Sequence, residues 1–285
     1  MAALRIPGPT QALRNLLVRQ VRAVFNDRSK GETPVVPSRH ALFEPDSPIR
    51  MVHADVVAMM VGGMRALLLQ MLHPAALQGV LDHSDFREDV EGRLRRTARF
   101  IAVTTYGHRD EAARVVGVVN AIHSRVMGTL PDGTAYSATD PRVLAWVHLA
   151  EATSFLEAYL AYGNPAMPPE EQDRYFEQSA VVAEMLGAAP VPRDRAEAAA
   201  LMSEMRQDLR GSASAREVAA FLLEGEGARR PGTAMRALGA AAVDLLPPFA
   251  RTMLELQRPG LSAIPALAGT RAMAGAIRWA FAGSR

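Results

Sequence analysis

Val115-Val116-Gly117-Val118-Val119-Asn120-Ala121-Ile122-His123-Ser124-Arg125-Val126-Met127 reads as one buried helix. Ala112, Val116, Val119, His123 and Val126/Met127 recur at helical spacing and share one stripe. A stripe of this period specifies helix, and helices that bury such stripes bury them against other helices. The stretch therefore points to an all-α fold. It also isolates one chemically versatile group. An imidazole that faces an apolar interior either hydrogen-bonds a neighbour or donates a ring nitrogen to a metal. The two readings lead to different functions.

Outward from this stretch the chain reads as helices separated by short punctuators. A first helix is expected over about 10–25 and a polar connector over 26–46. Asp46-Ser47-Pro48 is a cap followed by proline in a first turn, opening a long apolar helix to about Gln70. His73-Pro74 kinks or breaks that helix, and a second piece runs to Leu81. Further helices are expected over Gly92–Thr105, Arg109–Met127, Pro141 to about Tyr162, and Pro168–Leu186. Pro131-Asp132-Gly133 is a tight turn able to carry a small hairpin. Residues 194–209, 215–224, 233–244, a stretch to Leu256, and 262–282 complete the helices, with a glycine- and arginine-rich loop over 225–232. The organisation predicted is a single-domain helical bundle. Residues 1–37 form a basic amphipathic helix and connector, 38–258 the main helical domain, and 259–285 a C-terminal helical extension.

Composition agrees with helix. The 285 residues are 49% hydrophobic and only 6% aromatic, and alanine and leucine dominate. A net charge of +2 gives no ground for nucleic-acid binding. The basic charge near the N-terminus (Arg5, Arg14, Arg19, Arg22, Arg28 and Lys30) lies beside Leu13, Leu16, Leu17, Val21 and Val24. Such a helix can dock on its own domain or make peripheral contact with an anionic membrane. No run of about 18 apolar residues occurs, and the N-terminus does not read as a secretory signal, so the expected location is cytoplasmic. There is no cysteine, which removes disulfides, thiolate nucleophiles, all-cysteine iron–sulfur clusters and thiolate-ligated or c-type haem.

Phosphate loops, Rossmann glycines and His-Glu-x-x-His are all missing. The histidines are His40, His53, His73, His83, His108, His123 and His148, with no zinc-type spacing among them. Arg93, Arg96 and Thr97 share a helix face followed by Phe100 and Thr104. They can hold an anion or polarise bound oxygen, or they can be a solvated charged face. His148 and Glu151 also share a face, in the reverse of the Glu-x-x-His order used at di-iron sites. Asp82-His83-Ser84-Asp85 reads as a cap or hydrogen-bonded corner, and His73 as a core hydrogen-bonding residue. A five-coordinate haem needs a neutral proximal imidazole, a wide apolar slot, and basic or hydroxyl groups for its propionates and distal ligand. This chain can supply all three.

Several stretches together resemble a known family, the catalytic domain shared by latex-clearing rubber oxygenases and mpaB-type oxygenases. The similarity covers about residues 40–250. Its pieces are Leu42-Phe43-Glu44-Pro45-Asp46-Ser47-Pro48, Gly62-Gly63-Met64-Arg65-Ala66-Leu67-Leu68-Leu69-Gln70 with His73-Pro74, and His83-Ser84-Asp85-Phe86. Arg93-Leu94-Arg95-Arg96-Thr97, Tyr106-Gly107, Ile122-His123-Ser124-Arg125-Val126-Met127-Gly128, and Asp140-Pro141 through Trp146-Val147-His148 follow in order.

The resemblance implies a globin-like helical core, b-type haem and oxygenase activity on a hydrophobic substrate with dioxygen. It matches His123 to the proximal ligand, and Arg93, Arg96 and Thr97 to an arginine, lysine and threonine on a neighbouring helix. Arg96 keeps the lysine's charge but is a poor base. The family's glutamate base has no match among Asp82, Asp85, Glu88, Asp89 and Glu91. The expected catalytic residues are Arg93, Thr97 and Arg96; the expected cofactor residues are His123, Arg93 and Thr97, with His123 on the metal. The walls are expected from the Val56–Leu69 and 146–159 helices. Two alternatives stay open: a helical binding protein that keeps the family fold without catalysis, and a non-haem iron site around His148 and Glu151.

Overall fold

Proline at the first helical position opens five of the helices, because it lacks only an N–H that would have no partner there. The structure, a computed structural model, describes residues 10–11, 14–15, 33–84, 89–225, 231–260 and 264–282. Among them the helices are α1 (Pro48–Ala54), α2 (Val56–Gln70), α3 (Pro74–His83), α4 (Val90–Tyr106), α5 (Arg109–His123), α6 (Pro141–Tyr162), α7 (Pro169–Met185), α8 (Arg195–Met205), α9 (Ala213–Glu224), α10 (Thr233–Leu245), α11 (Pro248–Met253) and α12 (Ile264–Ala282). Most of the helix expected over about 10–25 lies outside the described residues, as does much of the 225–232 loop.

The long helix expected from Pro48 to Gln70 is broken at Asp55, where α1 and α2 meet at 90°. Asp55 sits in extended backbone and caps α2, its Oδ1 accepting from Ala58 N at 2.9 Å. Its Oδ2 accepts from Arg278 Nη1 of α12 at 2.8 Å, so one carboxylate fixes both the corner and the C-terminal helix.

The densest packing joins α2 to α6 along most of their lengths. Gly62 permits it. A Cβ at that position would stand 2.8 Å from Phe155 Cδ1 and 2.9 Å from the Ser154 carbonyl oxygen. Gly62→Ala gains roughly 1 kcal/mol in helix propensity, but overpacking against backbone costs about 1–3 kcal/mol. The expected outcome is a lower urea midpoint, and a larger drop for Gly62→Val. Around this pair one apolar core runs from Phe43 to Ala274, with Trp146, Leu68, Leu69, Leu149 and Tyr175 fully enclosed. Because α2 and α6 press together, they are not two separated walls of a slot; they form one wall.

The reading of residues 115–127 as a single buried helix needs correction. Helix α5 ends at His123, and Met127 enters the first strand of a hairpin, β1 (Met127–Thr129) paired antiparallel with β2 (Ala135–Ser137). Only Ala112 and Val116 of α5 are buried, whereas Val118 is 50% and Ile122 56% exposed. The helix is covered by α4 on one side and touches α7 only lightly, so its other face stays open. Val126 and Met127 therefore leave the helical stripe. The hairpin foreseen at Pro131-Asp132-Gly133 is present. It is fastened to the end of α3 by Tyr136 OH donating to Asp82 Oδ2 at 2.6 Å, and by His83 Nε2 meeting the Met127 carbonyl at 3.1 Å.

Candidate functional site

Helices α4 and α5 pack together and are joined by Gly107-His108. Arg93 and His123 both lie at the ends remote from that link. His123 is the last residue of α5, half-buried, and its Nδ1 is buried with no hydrogen-bond partner. Burial lowers its pKa below the ordinary imidazole value. The ring is therefore neutral at pH 7 and has a nitrogen lone pair to offer.

Arg93 is half-buried on α4 and donates from Nη1 to Ser84 Oγ at 2.9 Å. Ser84 in turn donates to the Val80 carbonyl at 2.6 Å, so the corner after α3 holds the guanidinium. The Asp82-His83-Ser84 segment is thus the hydrogen-bonded corner that the sequence suggested; Asp85 lies outside the described residues. Arg96 points elsewhere. Its side chain is 64% exposed and pairs with Asp89 at 3.0 Å. Asp89 also caps α4 by accepting from Gly92 N at 2.9 Å. Thr97 is exposed on the same helix.

A further electrostatic feature was seen in the sequence only as half of a pair. His148 and Glu151 lie one turn apart on α6, each half-buried. Gln70 of α2 donates from Nε2 to Glu151 Oε1 at 3.2 Å. Burial pushes the Glu151 carboxyl up to about 7, against the pull of the Gln70 hydrogen bond and the Arg93 charge. Arg93 and Glu151 feel one another's charge. Tyr175 of α7 is also within electrostatic reach of Glu151, and its buried hydroxyl has no partner. His148 Nε2 is buried and unpartnered, and burial holds the ring down to about 4.

The structure thus sets Gln70 against Glu151 and brings Arg93 within reach of its charge, with His148 one turn away on α6. Sequence reasoning paired His148 with Glu151 but missed their link to Arg93 and Gln70, which sit on other helices. His73 also departs from expectation. It caps α3 without a side-chain cap bond, and its buried Nδ1 has no partner, so the core hydrogen bond foreseen for it is not made. His53, in contrast, meets Thr105 Oγ1 at 2.8 Å and stacks edge-on to Phe155 and Tyr175.

Glu151 gives a measurable pH signature. Unfolded, it ionises near 4.5; folded, near 7. The folded state holds the extra proton in that window, so the contribution of Glu151 to stability declines as pH rises through it and is lowest above 7. Glu151→Gln is therefore expected to be more stable than the parent at pH 8 by about 3 kcal/mol, the gap closing toward pH 4.5. His148 and His53, lowered to about 4 and about 3, act in the opposite sense in both proteins and cancel in the difference. Urea unfolding across pH reads it directly.

Among the described residues, no three His, Asp or Glu side chains converge as a metal site, and no single helix is long and apolar enough to cross a membrane. Compared with known families, residues 50–279 match the one described as ER-bound oxygenase mpaB/B'/Rubber oxygenase, catalytic domain. No curated protein and no solved structure matches the chain.

Proposed function

The chain belongs to the mpaB/rubber oxygenase catalytic-domain family, and from that premise we propose that it is a haem b-dependent oxygenase acting on a small hydrophobic substrate. The observation that carries the cofactor is the His123 ring: neutral, half-buried, and with a buried nitrogen that no described residue hydrogen-bonds. A metal held by side chains alone needs several converging donors; a porphyrin iron brings four nitrogens of its own and asks the protein for one imidazole. His123 fits that demand.

In this reading His123 would hold the iron, and Arg93 and Thr97 would face the distal ligand or a propionate. When bound, haem supplies the chemistry of dioxygen activation. Arg93 has five N–H donors and uses one on Ser84, so several are left for an anionic or polarised oxygen. Arg96, tied to Asp89, steadies the start of α4. The hydrophobic substrate is suggested by the largely apolar α2 and α6, the helices expected to wall the site.

The test is the absorption spectrum of the purified full-length protein, as isolated and after titration with haem. A Soret band that saturates at one haem per chain is expected. No band after haem addition would overturn the cofactor reading and leave a helical binding protein that keeps the family fold.

A further inference from the structure

A cavity of about 240 Å³ lies between α2, α6, α7 and α8, and neither His123 nor Arg93 lines it. Arg65, Leu156, Phe176 and Ala198 are buried and form its inner side, while Glu157 and Ala199 are exposed and mark its mouth. The other polar groups on its walls already donate elsewhere. Thr153 Oγ1 donates to the Leu149 carbonyl at 2.6 Å, Gln172 Nε2 to the Met167 carbonyl at 2.8 Å, and Arg195 Nε to Asp173 Oδ1 at 2.7 Å. Arg65 differs. Among the described residues its guanidinium uses Nε on the Leu245 carbonyl and one N–H of Nη1 on Ser154 Oγ, and Nη2 has no partner. No described carboxylate bonds to it; Glu157 acts on it only through its charge.

A buried cation without a bonded counter-charge is costly, and an anion that reaches it offsets the cost. The geometry points to a binding site for a small monocarboxylate with a short apolar chain, its carboxylate on the Arg65 guanidinium and its chain against Leu156, Phe176, Ala198 and Met202. The N–H groups left on Nη1 and Nη2 form a fork that a planar carboxylate matches with both oxygens. The cavity is smaller than the roughly 300–1,000 Å³ of drug-sized sites, which restricts the occupant to a short chain. A neutral alcohol would leave Arg65 without a counter-charge. Inorganic phosphate would leave the apolar side unfilled and would bring more negative charge toward Glu157. The site uses none of the residues proposed to hold haem, so it stands or falls apart from the cofactor reading.

The experiment is titration calorimetry of the full chain at pH 7, without added haem, using hexanoate, hexanol and inorganic phosphate. Hexanoate is expected to saturate at one per chain and to bind about tenfold or more tightly than either of the others. Arg65→Met is expected to erase the preference of hexanoate over hexanol. Ala199→Trp closes the mouth from an exposed position, so it is expected to abolish hexanoate binding while leaving the urea midpoint in place. That variant keeps the proposal testable if Arg65→Met fails to fold. Glu157→Gln is expected to tighten hexanoate by about threefold, because it removes a competing negative charge. No saturable binding of hexanoate, equal affinity for hexanol or phosphate, or binding undiminished in Ala199→Trp overturns the inference.

Discussion

His123→Ala is expected to abolish the haem absorption band and to cut oxygenase turnover by well over 100-fold, more than loss of an outer-shell partner costs. It should do so without unfolding the protein. His123 ends α5, is only half-buried, and makes no hydrogen bond through its ring, so its removal breaks no contact that the fold depends on. The stability change is expected within about 0.5 kcal/mol, the usual range for surface positions. A collapse of the spectrum with an unchanged urea midpoint is therefore the diagnostic combination. Free imidazole added to the variant should partly restore the band by entering the vacated space. A full band in His123→Ala would move the ligand elsewhere, and His148 would be the next candidate, because its Nε2 is also buried without a partner.

The candidate residues are spread over several helices, and this explains what the sequence disclosed. Local signals were legible because they act over a few residues. Proline at the first helical position marks Pro48, Pro74, Pro141, Pro169 and Pro248 as helix starts, and each of them is one. The Pro131-Asp132-Gly133 turn was legible for the same reason. The break at Asp55 was masked by the apolar residues on both sides, although an aspartate there is itself a cap signal. The end of α5 had no glycine or proline to mark it until Gly128. The chain leaves the helix because Met127 pairs with Ser137 and Tyr136 is held by Asp82, contacts distant in sequence.

The candidate site follows the same division. His123 was found because its helical stripe is local. Glu151 was visible as a carboxyl one turn from His148, but its importance comes from Gln70 and Arg93, which approach from α2 and α4. No spacing rule connects residues on three helices. Arg96 shows the converse. Its spacing put it beside Arg93 and Thr97, and a local partner, Asp89, draws its guanidinium outward.

Arg65→Ala is expected to cost about 3–5 kcal/mol, the largest stability loss foreseen for a single polar residue here. Arg65 is 5% exposed and ties three helices together. Its Nε donates to the Leu245 carbonyl at the end of α10 at 2.9 Å, and its Nη1 to Ser154 Oγ of α6 at 2.7 Å. Burial lowers its pKa to about 10 while the charge of Glu157 raises it, so the guanidinium stays charged at pH 7. Truncation strips Ser154, which is fully enclosed, and the last turn of α10 of their donor. Each buried acceptor left unpaired costs about 1–3 kcal/mol, and the missing stem adds a cavity. Arg65→Met separates these causes: it keeps most of the stem and loses only the donors, so it should fall between the parent and the alanine variant. Urea unfolding at pH 7 gives the ranking. A loss below about 1 kcal/mol for Arg65→Ala would mean that the guanidinium only offsets its own burial, and that the crossing of α2, α6 and α10 is held by apolar packing around Gly62 alone.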